Sequence, residues 1–156
     1  MKKLIGLVLL IVIFVTTTAI TSSTPPTMHS IEGTWELQHF YNFENDEISD
    51  TVELQEGYRQ VKMYYNGKIM WSRTTPDQTK DADGNNVVGR FGYGSYRITD
   101  TDLIETIEYG DVGMMTALDT MREFTFELIL KADTYSQISF DEDGDRTFSE
   151  NYKRID

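Results

Sequence analysis

From Ile31 onward, aromatic and β-branched runs of about eight residues alternate with polar positions and are separated by clusters of Gly, Asn and Asp. That spacing predicts an all-β sandwich or barrel. The first strand is Gly33 to Asn42, with Trp35, Leu37, His39 and Tyr41 on one face. The acidic stretch Asn45 to Gln55 lacks an apolar alternation and reads as a loop. Tyr58–Tyr65 and Lys68–Thr74 flank Asn66-Gly67, a two-residue hairpin signal because both residues tolerate positive φ. Thr75 to Asn86 is a polar loop. The fourth strand, Val88–Ile98, contains Gly89, Gly92 and Gly94, which mark bulges or sharp bends. Asp102–Tyr109 is the fifth strand. A short helix capped by Asp111 follows near 112–121, with Met114, Met115, Leu118 and Met121 at helical spacing.

The sixth strand alternates most cleanly, with Phe124, Phe126, Leu128 and Leu130 set against Glu123, Thr125 and Glu127. Thr134–Phe140 and Thr147–Ile155 complete the set around an Asp141-Glu142-Asp143-Gly144-Asp145 turn. Eight antiparallel strands in up-and-down order close into a barrel with room for one small ligand.

The first 20 residues belong to a different pattern. Lys2 and Lys3 precede a 12-residue apolar run, Leu4 to Val15, and then Thr16-Thr17-Thr18-Ala19. This order predicts a signal helix, with residues 1–19 removed by cleavage after Ala19. Residues 20–30 form a disordered tether, and 31–156 form the folded domain. The protein is then secreted or periplasmic. The alternative is a membrane anchor through residues 4–20, which is short of the about 20 apolar residues of a spanning helix.

Composition narrows the function. The chain carries 26 acidic and 14 basic residues, a net charge of −12; without Lys2 and Lys3 it keeps 12 basic against 26 acidic groups, −14. Such a surface repels nucleic acid and anionic lipid, so no nucleic-acid partner is expected and no membrane contact beyond the N-terminal segment. The absence of cysteine excludes disulfides, thiolate metal sites and a cysteine nucleophile. Two histidines, His29 and His39, cannot build a multi-histidine metal site. Neither a metal nor another cofactor is expected. The Asp-rich segments 81–85 and 141–145 lack the ligand spacing and flanking helices of an EF-hand and read as turns. No Ser-His-Asp order, phosphate loop or zinc spacing occurs.

Gly33-Thr34-Trp35 at the start of the first strand and Tyr152-Lys153-Arg154-Ile155 at the end of the last resemble the lipocalin or calycin superfamily. Further matches are Lys68-Ile69-Met70-Trp71-Ser72-Arg73, Gly94-Ser95-Tyr96-Arg97-Ile98-Thr99 and Leu103-Ile104-Glu105-Thr106-Ile107-Glu108-Tyr109. These point to the lipocalin-like domains of secreted bacterial proteins, over Ile31 to Ile155. The resemblance implies that Trp35 packs against Arg154 and, with Gly33, plugs one end of the barrel. The chain departs from vertebrate lipocalins in lacking disulfides and a C-terminal helix.

Alternation directs His39, Tyr96, Glu105, Glu150 and Tyr152 inward, facing the apolar wall of Phe124, Phe126 and Leu128. Carboxylates on apolar faces are costly to bury alone. They therefore mark a hydrated, ligand-lined lumen or internal partners such as Arg59, Arg90 or Tyr96. Met114, Met115, Leu118 and Met121 either simply close one barrel end or form an adaptable lid over it. The expected function is non-enzymatic binding of a small apolar or amphipathic molecule in the lumen, its polar end toward Glu105, Glu150 or Tyr96. The alternative is an envelope protein whose acidic loops act on a protein partner. An enzyme using Glu105, Glu150 and His39 as acid–base groups is a third reading.

Overall fold

Period-two alternation with turn residues between the runs produces nine strands in the computed structural model, which describes residues 29–74 and 89–156. The predicted signal segment, most of the tether and the 75–86 loop lie outside the described residues. The strands are β1 (Gly33–Glu44), β2 (Glu47–Glu53), β3 (Arg59–Tyr65), β4 (Lys68–Thr74), β5 (Arg90–Ile98), β6 (Asp102–Gly110), β7 (Glu123–Leu130), β8 (Thr134–Phe140) and β9 (Arg146–Arg154). One helix, α1 (Val112–Leu118), lies between β6 and β7.

Every neighbouring pair is antiparallel, and β1 bonds to β9. That last ladder closes β1 and β3 to β9 into an eight-stranded antiparallel barrel. β1 serves two neighbours on its other edge: Gly33–Glu36 pair with β3, while His39–Glu44 pair with β2.

β2 corrects the reading of Asn45–Gln55 as a loop. Asn45 and Asp46 both take positive φ (52° and 63°), and the tight turn brings Glu44 opposite Glu47. All seven residues of β2 are exposed, so the strand carries no apolar alternation to betray it. Its order comes from the ladder to β1.

The other turns follow local chemistry. Asn66 and Gly67 have φ of 48° and 72° and set Tyr65 opposite Lys68. At Gly94 the register between β5 and β6 shifts, and a Cβ there would run into the Thr106 carbonyl. No side chain fits that bulge. The Asp111 carboxylate accepts the Met114 N–H at 2.9 Å and starts α1. The helix stops at Leu118, three residues earlier than its methionine spacing suggests, where Asp119 adopts φ 47° and its N–H bonds the Met115 carbonyl.

One end of the barrel is sealed. Trp35 is fully buried, its indole N–H donates to the Ile31 carbonyl at 2.7 Å, and its ring meets Tyr135 edge-on. The Arg154 guanidinium lies 4.1 Å from the Trp35 ring centroid and donates to the carbonyls of Ser30 (2.8 Å) and Glu32 (2.7 Å). Gly33, at φ 136°, leaves the space the guanidinium occupies. Leu37, Tyr64, Ile69, Leu103, Tyr135 and Tyr152 pack above this plug.

Candidate ligand-binding site

The opposite end is where the interior stays open. A cavity of about 210 Å³ lies beneath α1, lined by Gln60, Lys62, Trp71, Arg73, Glu105, Ile107, Met114, Leu118, Phe124, Phe126, Gln137 and Glu150. β6 turns Glu105 and Ile107 inward, β7 adds Phe124 and Phe126, and Met114 and Leu118 hang from the helix.

Its polar floor is built around Lys62. The ammonium sits 3.1 and 3.2 Å from the two Glu105 oxygens and 2.7 Å from Gln137 Oε1, with Glu150 at 3.7 Å. Lys62 and Glu105 are both about 4% exposed. The Tyr64 hydroxyl also donates to Glu105, and the Tyr152 hydroxyl donates to Glu150 at 2.6 Å. Gln60 donates to Glu150 and to the Tyr152 oxygen, and its own carbonyl accepts from Tyr58. Burial holds the Tyr64, Tyr135 and Tyr152 hydroxyls well above the ordinary tyrosine range. The nearby carboxylates, Glu105 for Tyr64 and Tyr135 and Glu150 for Tyr152, add to the shift. These three phenols are therefore neutral hydrogen-bond donors. A buried ion pair with satisfied oxygens is tolerable; a lone buried charge is not.

Of the residues that alternation assigned to a ligand, Glu105, Glu150, Phe124 and Phe126 share this cavity, and Tyr152 supports it from below. Three depart from expectation. His39 points outward: the β1–β9 register slips between Leu37 and His39, and the extra residue reverses the parity of everything after it. Phe40 turns inward instead and stacks on Phe148, while His39 rests on Tyr41 at 4.7 Å on the outer face. With His39 outside, the acid–base trio with Glu105 and Glu150 does not assemble.

Leu128 and Tyr96 are the second departure. Both line a different, broader depression of about 750 Å³ at the sealed end, with Ile31, Ile98 and Leu130. β7 runs the length of the barrel, so its apolar wall is split between two ends with the packed tyrosines between. The third concerns partners. Arg59 pairs with Glu36 on the outer face and Arg90 with Asp111, so neither reaches Glu105 or Glu150. Tyr96 packs edge-on against the Tyr64 ring, 5.0 Å away.

The lid is partly as the methionine spacing suggests. Met114 is buried and Leu118 lines the cavity, whereas Met121 is exposed and the Met115 sulfur accepts from Arg122. The Asp141 carboxylate is used by its own turn, accepting the N–H groups of Asp143 (3.0 Å) and Asp145 (2.9 Å).

Sequence reasoning missed Gln60, Lys62, Trp71, Arg73 and Gln137. β3 is inverted relative to the usual pattern: Gln60 and Lys62 face in, while Met63 and Tyr65 are 51% and 76% exposed. The signal that points to them is the Asn66-Gly67 turn, which places Lys62 opposite Trp71 and Tyr64 opposite Ile69 on one face.

No family model and no curated protein matches the chain. Among solved structures, it is similar to an uncharacterized protein from Bacteroides eggerthii. The identity is 12% over 81% of this chain and 100% of that one, with a TM-score of 0.49. It is also similar to a lipocalin-like protein from Bacteroides uniformis, at 11% identity over 80% and 97% of the two chains and a TM-score of 0.47. A de novo designed fluorescence-activating β-barrel aligns at 17% identity over 80% and 93%, with a TM-score of 0.38. Likeness at this level carries no functional assignment, and the barrel rests on its own ring of ladders.

Proposed function

We propose that this protein is an exported, lipocalin-like binding protein that holds one compact amphipathic molecule in the cavity beneath α1, without catalysing a reaction. The observation that supports it most is the composition of that cavity. Phe124, Phe126, Ile107, Met114 and Leu118 form an apolar side, and a few convergent polar groups form the other. This is the usual make-up of a small-molecule site. A volume of about 210 Å³ is below that of drug-sized pockets, about 300–1,000 Å³. The ligand is therefore small. An unfilled interior also favours this reading over a barrel that acts only through its acidic loops.

Native mass spectrometry of the protein exported by its own host tests both parts. The intact mass reports whether the chain starts at Ile20, as cleavage after Ala19 requires. A non-covalent adduct of low mass reports the ligand. The adduct should vanish in Leu118→Trp, which fills the cavity, and persist in Leu128→Trp, which alters the other end. An adduct that survives Leu118→Trp and disappears in Leu128→Trp would place the ligand at the wrong end of the barrel.

A further inference from the structure

The hydrogen-bonding capacity left over in the cavity identifies the ligand's head group. Each acceptor already has a partner. Glu105 Oε1 takes bonds from Lys62 and Tyr64, and Oε2 takes one from Lys62. Glu150 Oε1 takes Gln60 and Oε2 takes Tyr152. The side-chain carbonyls of Gln60 and Gln137 accept from Tyr58 and Lys62. Every one of these oxygens has a protein donor before any ligand arrives.

The donor side is different. Arg73, on β4 at the open end, lines the cavity, and its Nε is buried without a hydrogen-bond partner. Among the described residues its guanidinium makes no ion pair, whereas Lys62 already faces both carboxylates. An apolar ligand that displaced water from this cavity would leave Arg73 with an unmet charge-assisted donor, which is costly. A ligand amine would face carboxylates already paired with Lys62 and the tyrosine hydroxyls, and a guanidinium that repels it. A carboxylate supplies the missing acceptor in the planar geometry that a guanidinium matches.

Resting on the binding function proposed above, we infer that the cavity is specific for a compact monocarboxylate, its head on Arg73 and its apolar body against Ile107, Phe124 and Phe126 beneath Met114 and Leu118. Lys62 is not the anion site. Its ammonium is spent on holding Glu105 and Glu150, and Arg73 is the specificity-determining residue.

Isothermal titration of the full chain with octanoate, octan-1-ol and octylamine separates the possibilities, because the three share a tail and differ in the head. Octanoate should bind at least about tenfold more tightly than the other two, in line with the strength of a charge-assisted hydrogen bond. Arg73→Gln should remove about that factor for octanoate while changing octan-1-ol by less than about twofold. Arg73→Lys, which keeps the charge and loses the fork, should fall between. The wild-type ranking stands even if a variant misfolds, which near-ultraviolet circular dichroism would reveal. Tighter binding of octan-1-ol or octylamine, abolished by Leu118→Trp, overturns the carboxylate specificity and leaves a ligand site in place. No binding of any of the three overturns the specificity together with the site beneath it.

Discussion

Lys62 carries an ammonium into a barrel that could have been filled with leucine, and its surroundings explain why it can stay. Three oxygens lie within 3.2 Å of it, two on Glu105 of β6 and one on Gln137 of β8, and all are acceptors. Removing one member of a buried pair strands the other, at about 3–5 kcal/mol. Lys62→Met should therefore destabilise the protein by about that amount in urea unfolding. Adding Glu105→Gln, which removes the stranded charge, should recover part of the loss. A double variant no more stable than Lys62→Met would show that the carboxylate is not the cause. Glu105 and Glu150 were legible as interior carboxylates because each sits among apolar residues two positions apart. Lys62, Gln60 and Arg73 were not, since a polar residue on an alternating strand reads as solvent-facing unless the partner across the barrel is known. The Lys62–Glu105 and Gln60–Glu150 pairs join residues 43 and 90 positions apart, a relation that a single strand's pattern does not contain.

Among the elements, β1 shows how one inserted residue redirects a site. Its start obeys simple alternation, with Trp35 and Leu37 inward. After the slip opposite β9, the same alternation delivers Phe40 to the interior and His39 to the surface. Parity is reliable within a ladder and fails at a bulge; Gly94 announces the one on β5, whereas Gln38 gives no such sign on β1. Phe40→Ala should cost about 2–3 kcal/mol, somewhat less than a fully buried ring. His39→Ala should lie within about 0.5 kcal/mol of the parent. Thermal unfolding of the two variants decides; the reverse order would return His39 to the interior. β2 was missed for a related reason. Its turn chemistry, Asn45-Asp46, lay within an acidic run, and a strand with every side chain exposed has no hydrophobic period to read. β3, β4 and β8, by contrast, begin and end within a residue of their sequence-based ranges because each abuts a turn or carries alternation in step with its neighbour.

For the whole molecule, closure of the β1–β9 ladder separates two ends with opposite characters. The sealed end is tied by Trp35, Arg154 and the backbone of Ser30 to Gly33; the open end holds α1 and the mixed cavity. The barrel itself was legible from the number and spacing of its strands. The location of the cavity was not, because it depends on which large side chains meet in the middle, here Tyr64, Tyr135 and Tyr152. The chain's two tryptophans mark the two ends: Trp35 lies in the plug and Trp71 in the cavity wall. Nitrogen-edited NMR resolves one indole N–H signal for each. Titration with octanoate and octan-1-ol should shift the Trp71 indole signal in a saturable manner and leave that of Trp35 in place. A saturable shift of Trp35 with Trp71 unmoved, or no shift of either, would contradict a ligand site at the open end of this barrel.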